Sequence, residues 1–401
     1  MKVYILTGEP FPNGMAATNR IRCYARAIKE GGLDCEVLIF RRTEIYGQKP
    51  KNTIGQGAFN GIAFRFIGGT PLRGSHVFVR QANDRLDIWR TKRYLKRNLQ
   101  KGDVLFFYMD RSVELTLMYM KVAHGKGALC VRDLCELPYG TGAETKKSIR
   151  LREITFTKQF PKLDGIISIS DSLLNLAKKY SSPTCEHIKV PILVDYNQYY
   201  LPDKSNSVET PYIFHAGTLY EQKDGILGMI EAFGEVTQIL KTPIKFISTG
   251  DINKTHEYEK RQIEKMITRY HLENKLQFTG YISSDELKDY LSKASLVVIN
   301  KYSTQQNDFC FSTKLGEYLA AAKPVIITNV GEAMNWLTNG LDSIIIEPGD
   351  KQALIQAIVH VFSNPIEAQK IGRNGRNTCL NSFDYRVWSY PIVEFLKHLD
   401  D

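Results

Sequence analysis

Lys223 stands in FHAGTLYEQKDG, residues 214–225, where an apolar run stops at Gly217 and a polar turn leads into a helical pattern. An ammonium group there is a point charge that can meet a phosphate lying over the end of a strand. A second polar loop opens NKYSTQQNDFCFSTKLGEYLAAAKPVI, residues 300–326, and passes into a short helix. Ser312 or Thr313 is its expected N-cap. Lys314 and Glu317 then fall in the first turn, where a carboxylate can accept hydrogen bonds from a sugar diol or simply complement the helix dipole. A third loop lies in TGEPFPNGMAATNR, residues 7–20. Gly14 would let a ligand approach the backbone just before a helix N-terminus, and Arg20 and Arg22 add positive charge.

Several common devices are missing from the sequence. It contains no Asp-x-Asp, no P-loop lysine motif, no HExxH and no GxGxxG after the first strand. The eight histidines show no ligand spacing, and His215, inside an apolar run, reads as a core or edge residue. No metal or other cofactor is therefore expected. Charge on a phosphate has to be met by lysines and helix amides.

These loops need strands and helices to hold them. KVYILT (2–7), CEVLIF (35–40), GIAFRF (61–66), DVLFFY (103–108), ALCV (128–131) and GIISIS (165–170) read as strands of a first half. Helical patterns separate them at about 15–31, 84–100, 112–125, 145–160 and 171–180. Unbroken apolar strands alternating with helices predict a parallel sheet covered on both faces. LPDKSNSVETP, residues 201–211, is polar and Pro-bounded, a linker by composition. A second set follows: YIFHA (212–216), IKFIST (244–249), KLQFTG (275–280), SLVVIN (295–300), PVIIT (324–328) and SIIIEP (343–348). Its helices are expected at about 224–240, 255–270, 284–293, 314–322 and 350–362. A helical tail covers 365–398, with Pro391 expected to kink or split it.

The length of 401 residues fits two domains. The expected division is 1–200, 201–383 and a C-terminal helix at 384–401 that can return to the first domain. In tandem doubly wound domains, ligands sit at the carboxyl ends of strands. No run of about 20 apolar residues suggests a membrane span. Seven cysteines without a CxxC pair read as reduced core thiols of a cytoplasmic protein.

The net charge of +10 is unevenly spread. Residues 1–200 hold 32 Lys and Arg against 18 Asp and Glu, a net of +14; residues 201–401 hold 21 against 25, a net of −4. One half thus suits an anionic partner. No zinc-finger spacing or RNP-like aromatic run supports nucleic acid. RLDIWRTKRYLKRNLQK at 85–101, and the basic run at 146–162, could lie on the inner face of an anionic membrane or remain solvated.

On these loops the chain resembles the retaining glycosyltransferases of family 4, which have the GT-B fold: two doubly wound, Rossmann-like domains facing across a cleft. IFHAGTLYEQKDGILGMIEAF resembles that family's donor loop. FTGYISSDELKDYLSKASLVVI resembles its base-contact region, and STKLGEYLAAAKPVIITNVG its Glu-x7-Glu region. The resemblance implies that Glu317 binds the donor ribose and that Lys223 offsets diphosphate charge. It implies that Ser312, Thr313 and Lys314 offer donors to the diphosphate, that Gly14 lies under it, and that Gly217 and Thr218 are among the donor-binding residues. Tyr281 and Ile282 would lie against the base. The sequence departs from the family at two points. Phe309 stands where the first glutamate of the pair is expected, so Asn307 or Asp308 would take over its contact to the sugar. Thr218 stands where the donor loop has arginine. Asp133 and Glu136 in VRDLCELPYG, with Lys223, are the candidate catalytic residues, Glu136 ahead of Asp133.

The activity implied is metal-independent transfer of a hexosyl group from a nucleotide-diphosphate sugar to a lipid-linked or glycan acceptor. The implied setting is assembly of a cell-surface polysaccharide, with the basic first domain on an anionic membrane surface. A sugar-nucleotide epimerase on the same scaffold and a non-catalytic donor-binding subunit are the alternatives.

Overall fold

In the computed structural model, which describes residues 1–108, 112–140 and 144–400, the alternating pattern forms two separate sheets. The chain runs through β1 (Lys2–Thr7), α1 (Ala16–Glu30), β2 (Asp34–Ile39), β3 (Gln56–Phe59) and β4 (Ile62–Phe66). It continues through α2 (Val77–Asn98), β5 (Val104–Tyr108), α3 (Val113–His124), β6 (Leu129–Leu134), α4 (Lys146–Ile154), β7 (Gly165–Ser168), α5 (Asp171–Tyr180) and β8 (Glu186–Lys189). The strands order as β3-β4-β2-β1-β5-β6-β7-β8. All neighbours are parallel except β3 and β4. β1 and β5 are neighbours that are not consecutive in sequence, so the order reverses between them.

Two strands lie outside the sequence reading. β3 is a mostly exposed hairpin partner of β4, turned by Asn60 and Gly61, both at positive φ. The Asn-Gly dipeptide is the usual signal for such a turn. β8 is a polar edge strand, EHIK, without the apolar run that marks its neighbours.

The second unit contains α6 (Tyr196–Tyr199), β9 (Tyr212–His215), α7 (Glu221–Asp224), α8 (Ile226–Ile239), β10 (Lys245–Ser248), α9 (Glu257–Tyr270) and β11 (Leu276–Phe278). There follow α10 (Ser284–Lys293), β12 (Leu296–Ile299), α11 (Gln305–Phe309), α12 (Lys314–Ala320), β13 (Val325–Thr328), β14 (Ile344–Ile346), α13 (Lys351–Ser363) and α14 (Pro365–Ser382). The sheet is parallel throughout, ordered β11-β10-β9-β12-β13-β14, and reverses between β9 and β12. Ile213, Phe246, Leu296, Val298 and Ile326 from its strands pack with Met229, Phe233 and Leu354 from its helices.

Residues 1–194 and 385–401 form one compact unit, and 195–384 the other. The polar run 201–211 is not a free tether. Lys204 N bonds Ser292 O (2.8 Å), and buried Lys323 bonds both Asp203 (2.8 Å) and Ser292 O (2.8 Å). A buried ammonium group must be paired, and residue 203 supplies the carboxylate. The last helix, α15 (Ser389–His398), packs on α1. Its Ile392 and Leu396 join Ile21, Ala25 and Ile28 in the core of the first unit. The break in the helical tail falls at 383–388, not at Pro391. Pro391 occupies the first turn of α15, where a missing N–H costs no intrahelical bond.

Candidate functional site

The loops after β9 and β12 flank the point where the second sheet reverses, the place where open α/β sheets bind ligands. β9 ends at His215, and the next three backbone N–H groups are all used by the protein. Ala216 N donates to Tyr318 Oη (2.8 Å), Gly217 N to Thr249 Oγ1 (3.0 Å) and Thr218 N to Asp224 Oδ2 (3.0 Å). The Thr218 hydroxyl also donates to Asp224 (2.6 Å). Gly217 and Thr218 therefore shape the loop, and neither amide is open to a phosphate. Hydrogen bonds already made in the loop leave charged side chains to meet a ligand.

Lys314 is one such side chain. Its Nζ lies 2.5 Å from Asp224 Oδ1, with the lysine about a quarter exposed and the aspartate buried. Burial alone would push the Asp224 carboxyl up; Lys314, His215 and the Thr218 hydroxyl outweigh it and hold the group below its usual range. His215 lies beneath the loop. Burial, followed by the Lys314 charge, holds its imidazole down to about 4, so it is neutral near pH 7. Its Nδ1 faces Val298 O at 3.4 Å, and its buried Nε2 has no hydrogen-bond partner among the described residues. A Cβ on Gly217 would stand 2.3 Å from His215 Nε2 and 2.6 Å from Lys314 Nζ. Only glycine lets the chain pass between the imidazole and the ammonium group.

Lys223 lies in α7, exposed. The turn that presents it closes at Gly225, whose φ of +60° suits glycine and whose Cβ would meet Asn300 O at 2.4 Å. Asn300 Nδ2 donates to Gly225 O (2.9 Å), and Tyr302 Oη donates to Glu221 (2.7 Å). The two loops are thus tied together by groups some 75 to 81 residues apart in sequence.

α12 starts at Thr313 as N-cap, but no side chain caps it. Ser312, Thr313, Lys314 and Glu317 are all half-buried at its first turn. Asn307 is buried, and its amide is committed within the loop: Nδ2 bonds Tyr302 O (2.9 Å), and Oδ1 accepts from Lys301 (3.3 Å). That corrects its expected contact to a sugar. Asp308 is exposed and accepts from Ser303 Oγ (3.0 Å). Tyr281 and Ile282 follow β11 and Gly280, with Tyr281 61% exposed.

The remaining expected residues lie in the first unit. Asp133 is buried, not open in a cleft. Its buried carboxylate pairs with Arg20 Nη2 (3.1 Å) and accepts from Tyr24 Oη (2.5 Å), while Arg20 also bonds Pro191 O (2.7 Å). The carboxylate and the guanidinium group are thus held by one another and by the chain, and Arg20 is not a solvated charge. Glu136 is half-buried just past β6. Gly14 has a local reason to be glycine, since a Cβ there would lie 1.9 Å from Thr18 Oγ1. Asp224, His215 and Tyr318 are the members of the site that sequence reasoning did not assign to it. Asp224 had one usable signal, its place between Lys223 and Gly225 in a tight turn.

Residues 201–378 match the family of group 1 glycosyl transferases. Across both units the chain superposes on solved glycosyltransferase structures. Sucrose-phosphate synthase from Thermosynechococcus elongatus matches with a TM-score of 0.71 and 16% identity, over 99% of this chain and 98% of that one. HepE of Anabaena, solved with UDP and glucose, matches with a TM-score of 0.71 and 16% identity, over 98% of each chain. The fold is GT-B. Among curated proteins, an uncharacterized glycosyltransferase of Methanocaldococcus jannaschii is 23% identical over 207 residues, 52% of this chain and 54% of that protein. The lipopolysaccharide core biosynthesis glycosyltransferase LpsD of Rhizobium meliloti is 24% identical over 169 residues, 42% of this chain and 44% of that protein. The chain spans about half the length of these two curated relatives. The switch-point loops of the GT-B chain fall inside the group 1 match, so the lysine cluster belongs to the matched region.

Among the described residues no helix is long and apolar enough to cross a membrane. All seven cysteines are free thiols, five of them buried.

Proposed function

We propose that this protein transfers a sugar from a nucleotide-diphosphate sugar to an acceptor, gripping the donor at the switch point of its second unit. The observation that carries the proposal is Lys314, fixed by Asp224 beside a glycine that tolerates no side chain, with exposed Lys223 on the adjoining turn. Two lysines at the carboxyl edge of a parallel sheet suit a diphosphate. HepE, whose fold the chain shares, is solved with UDP and with UDP-glucose, which supports a donor of that class.

Glu317 takes the ribose hydroxyls, Tyr281 and Ile282 face the base, and Asp308 is the acidic group available to the sugar. As the bond from C1 to the diphosphate oxygen breaks, the acceptor oxygen bonds C1 from the same face. The acceptor proton passes to the departing diphosphate, and configuration is retained. Lys223, Lys314 and the first turn of α12 stabilise the charge that builds on the leaving group, in place of a metal ion. The name of LpsD supports a role in cell-surface polysaccharide assembly on lipid-linked acceptors.

The test is turnover with a panel of nucleotide sugars and lipid-linked acceptors, with EDTA present. Wild type should transfer, and Lys223→Ala should lose about tenfold to a hundredfold, the worth of one charged contact to phosphate. Wild-type-like transfer by Lys223→Ala would remove Lys223 from the donor site. Donor conversion to free sugar without any acceptor would point instead to an epimerase-like reaction.

A further inference from the structure

The first unit has a site of its own. A cavity of about 240 Å³ opens where the carboxyl ends of β1 and β5 part, the point at which that sheet reverses. Its lining is mainly apolar, with Leu6 and Phe107 from the strands and Ile88 and Leu115 from α2 and α3. Three arginines, Arg41, Arg42 and Arg73, and one acid, Asp84, also line it, with Arg41 Nε donating to Gly8 O (2.9 Å). Arg42 is paired with buried Asp87 at 3.2 Å. Arg73 is exposed and makes no salt bridge among the described residues. Tyr119 adds a buried hydroxyl without a hydrogen bond among the described residues, and the neighbouring Thr91 hydroxyl gives its hydrogen to Asp87 O (2.7 Å).

An unpaired buried hydroxyl costs free energy unless a ligand or water meets it. Apolar walls around such a group, with cations beside them, do not suit a plain sugar, whose hydroxyls need many polar partners. They suit a molecule with one anionic end and one apolar end. The segment before α2 extends the apolar surface: Leu72 adjoins Arg73, and Val77, Phe78 and Val79 are 53%, 83% and 47% exposed. Val79 packs against Gly74, the residue after Arg73, where a Cβ would lie 2.7 Å from Val79 Cγ1.

We infer that this cavity binds a phosphorylated amphiphile, with the phosphate or diphosphate at Arg73 and its neighbouring arginines and the chain against the apolar walls and residues 77–79. Under the transferase reading, on which only this role depends, such a molecule is the acceptor. The phosphate could belong to a single dispersed molecule or to a lipid in a bilayer.

The full-length protein is titrated calorimetrically with decyl phosphate below its micelle concentration, and separately with decanol, inorganic phosphate and a nucleoside diphosphate. Decyl phosphate should bind at least tenfold more tightly than either decanol or inorganic phosphate. Arg73→Ala should weaken it tenfold or more, and Ile88→Trp, which fills the cavity, should do the same. Neither substitution should change nucleoside diphosphate binding. Equal affinity for decanol or for inorganic phosphate would overturn the inference, as would indifference to both substitutions. Binding to phosphatidylglycerol vesicles without binding to decyl phosphate would also overturn it and assign the attraction to the basic surface. Loss of nucleoside diphosphate binding by wild type, with decyl phosphate still bound, would refute the donor reading and leave this inference standing.

Discussion

Lys314→Met separates what holds the donor loop together from what binds the donor. In the folded chain the Lys314 ammonium lies 2.5 Å from Asp224 Oδ1, and Asp224 Oδ2 takes two bonds from Thr218. Removing the lysine leaves a buried carboxylate with its hydrogen bonds but no counter-charge. Breaking a buried pair from one side costs about 3–5 kcal/mol. The two surviving Thr218 bonds and the partial exposure of Lys314 put the expected loss near the low end, about 3 kcal/mol. Asp224→Asn should cost less, about 1 kcal/mol, because the freed ammonium can turn to water. The double variant should resemble Asp224→Asn, giving a coupling energy of about 3 kcal/mol. Urea unfolding of the four proteins, followed by circular dichroism, measures it. Strictly additive losses would refute the buried-pair reasoning. Calorimetry with a nucleoside diphosphate adds a second arm: Lys314→Met should lose binding about tenfold or more, whereas Asp224→Asn keeps the positive charge and should retain it. Equal loss in both would make Lys314 a purely structural residue.

Two further outcomes follow from the buried groups. His215 is held down to about 4 against an ordinary 6.5, so between these values the unfolded chain takes up a proton that the folded chain refuses. Its contribution to stability is full above about pH 6.5, falls as pH drops through that window and levels off below about 4, a loss of at most about 3 kcal/mol. The wild-type minus His215→Asn difference in urea midpoint, measured from pH 7 to pH 4, should shrink accordingly; a constant difference would contradict the assignment. Asp133→Asn should destabilise the first unit by about 3–5 kcal/mol by stranding buried Arg20. A fully stable but inactive Asp133→Asn protein would instead return Asp133 to the chemistry.

The strands of both sheets that carry unbroken apolar runs were legible, because a strand buried on both faces leaves that mark. α10 could be read from end to end, since Ser283 and Glu286 form a capping box at its start. β8 could not, because an edge strand such as EHIK buries too little to write a pattern. Lys223, Lys314 and Glu317 could be picked out as candidates by type and position next to turns. What the chain does with them could not. The Lys314–Asp224 pair joins residues 90 apart, and nothing local in either segment announces it. The same holds for Asp133, whose acidic side chain after an arginine looks catalytic until Arg20 and Tyr24, more than 100 residues away, are seen to enclose it. The cavity at Arg73 and Tyr119 is likewise assembled from β1, β5, α2, α3 and the loops beside them, with no motif of its own.

The central claim is that lysines at the β9–β12 switch point hold a diphosphate. It is tested most directly by calorimetric titration of wild type and Lys223→Ala with a panel of nucleoside diphosphates and the matching nucleosides. Lys223 is exposed, so its removal should leave the fold intact. The account predicts that one diphosphate binds wild type, that Lys223→Ala weakens it about tenfold to a hundredfold, and that the nucleoside binds both proteins equally. Diphosphate affinity unchanged by Lys223→Ala, or no diphosphate bound by wild type at all, would contradict it.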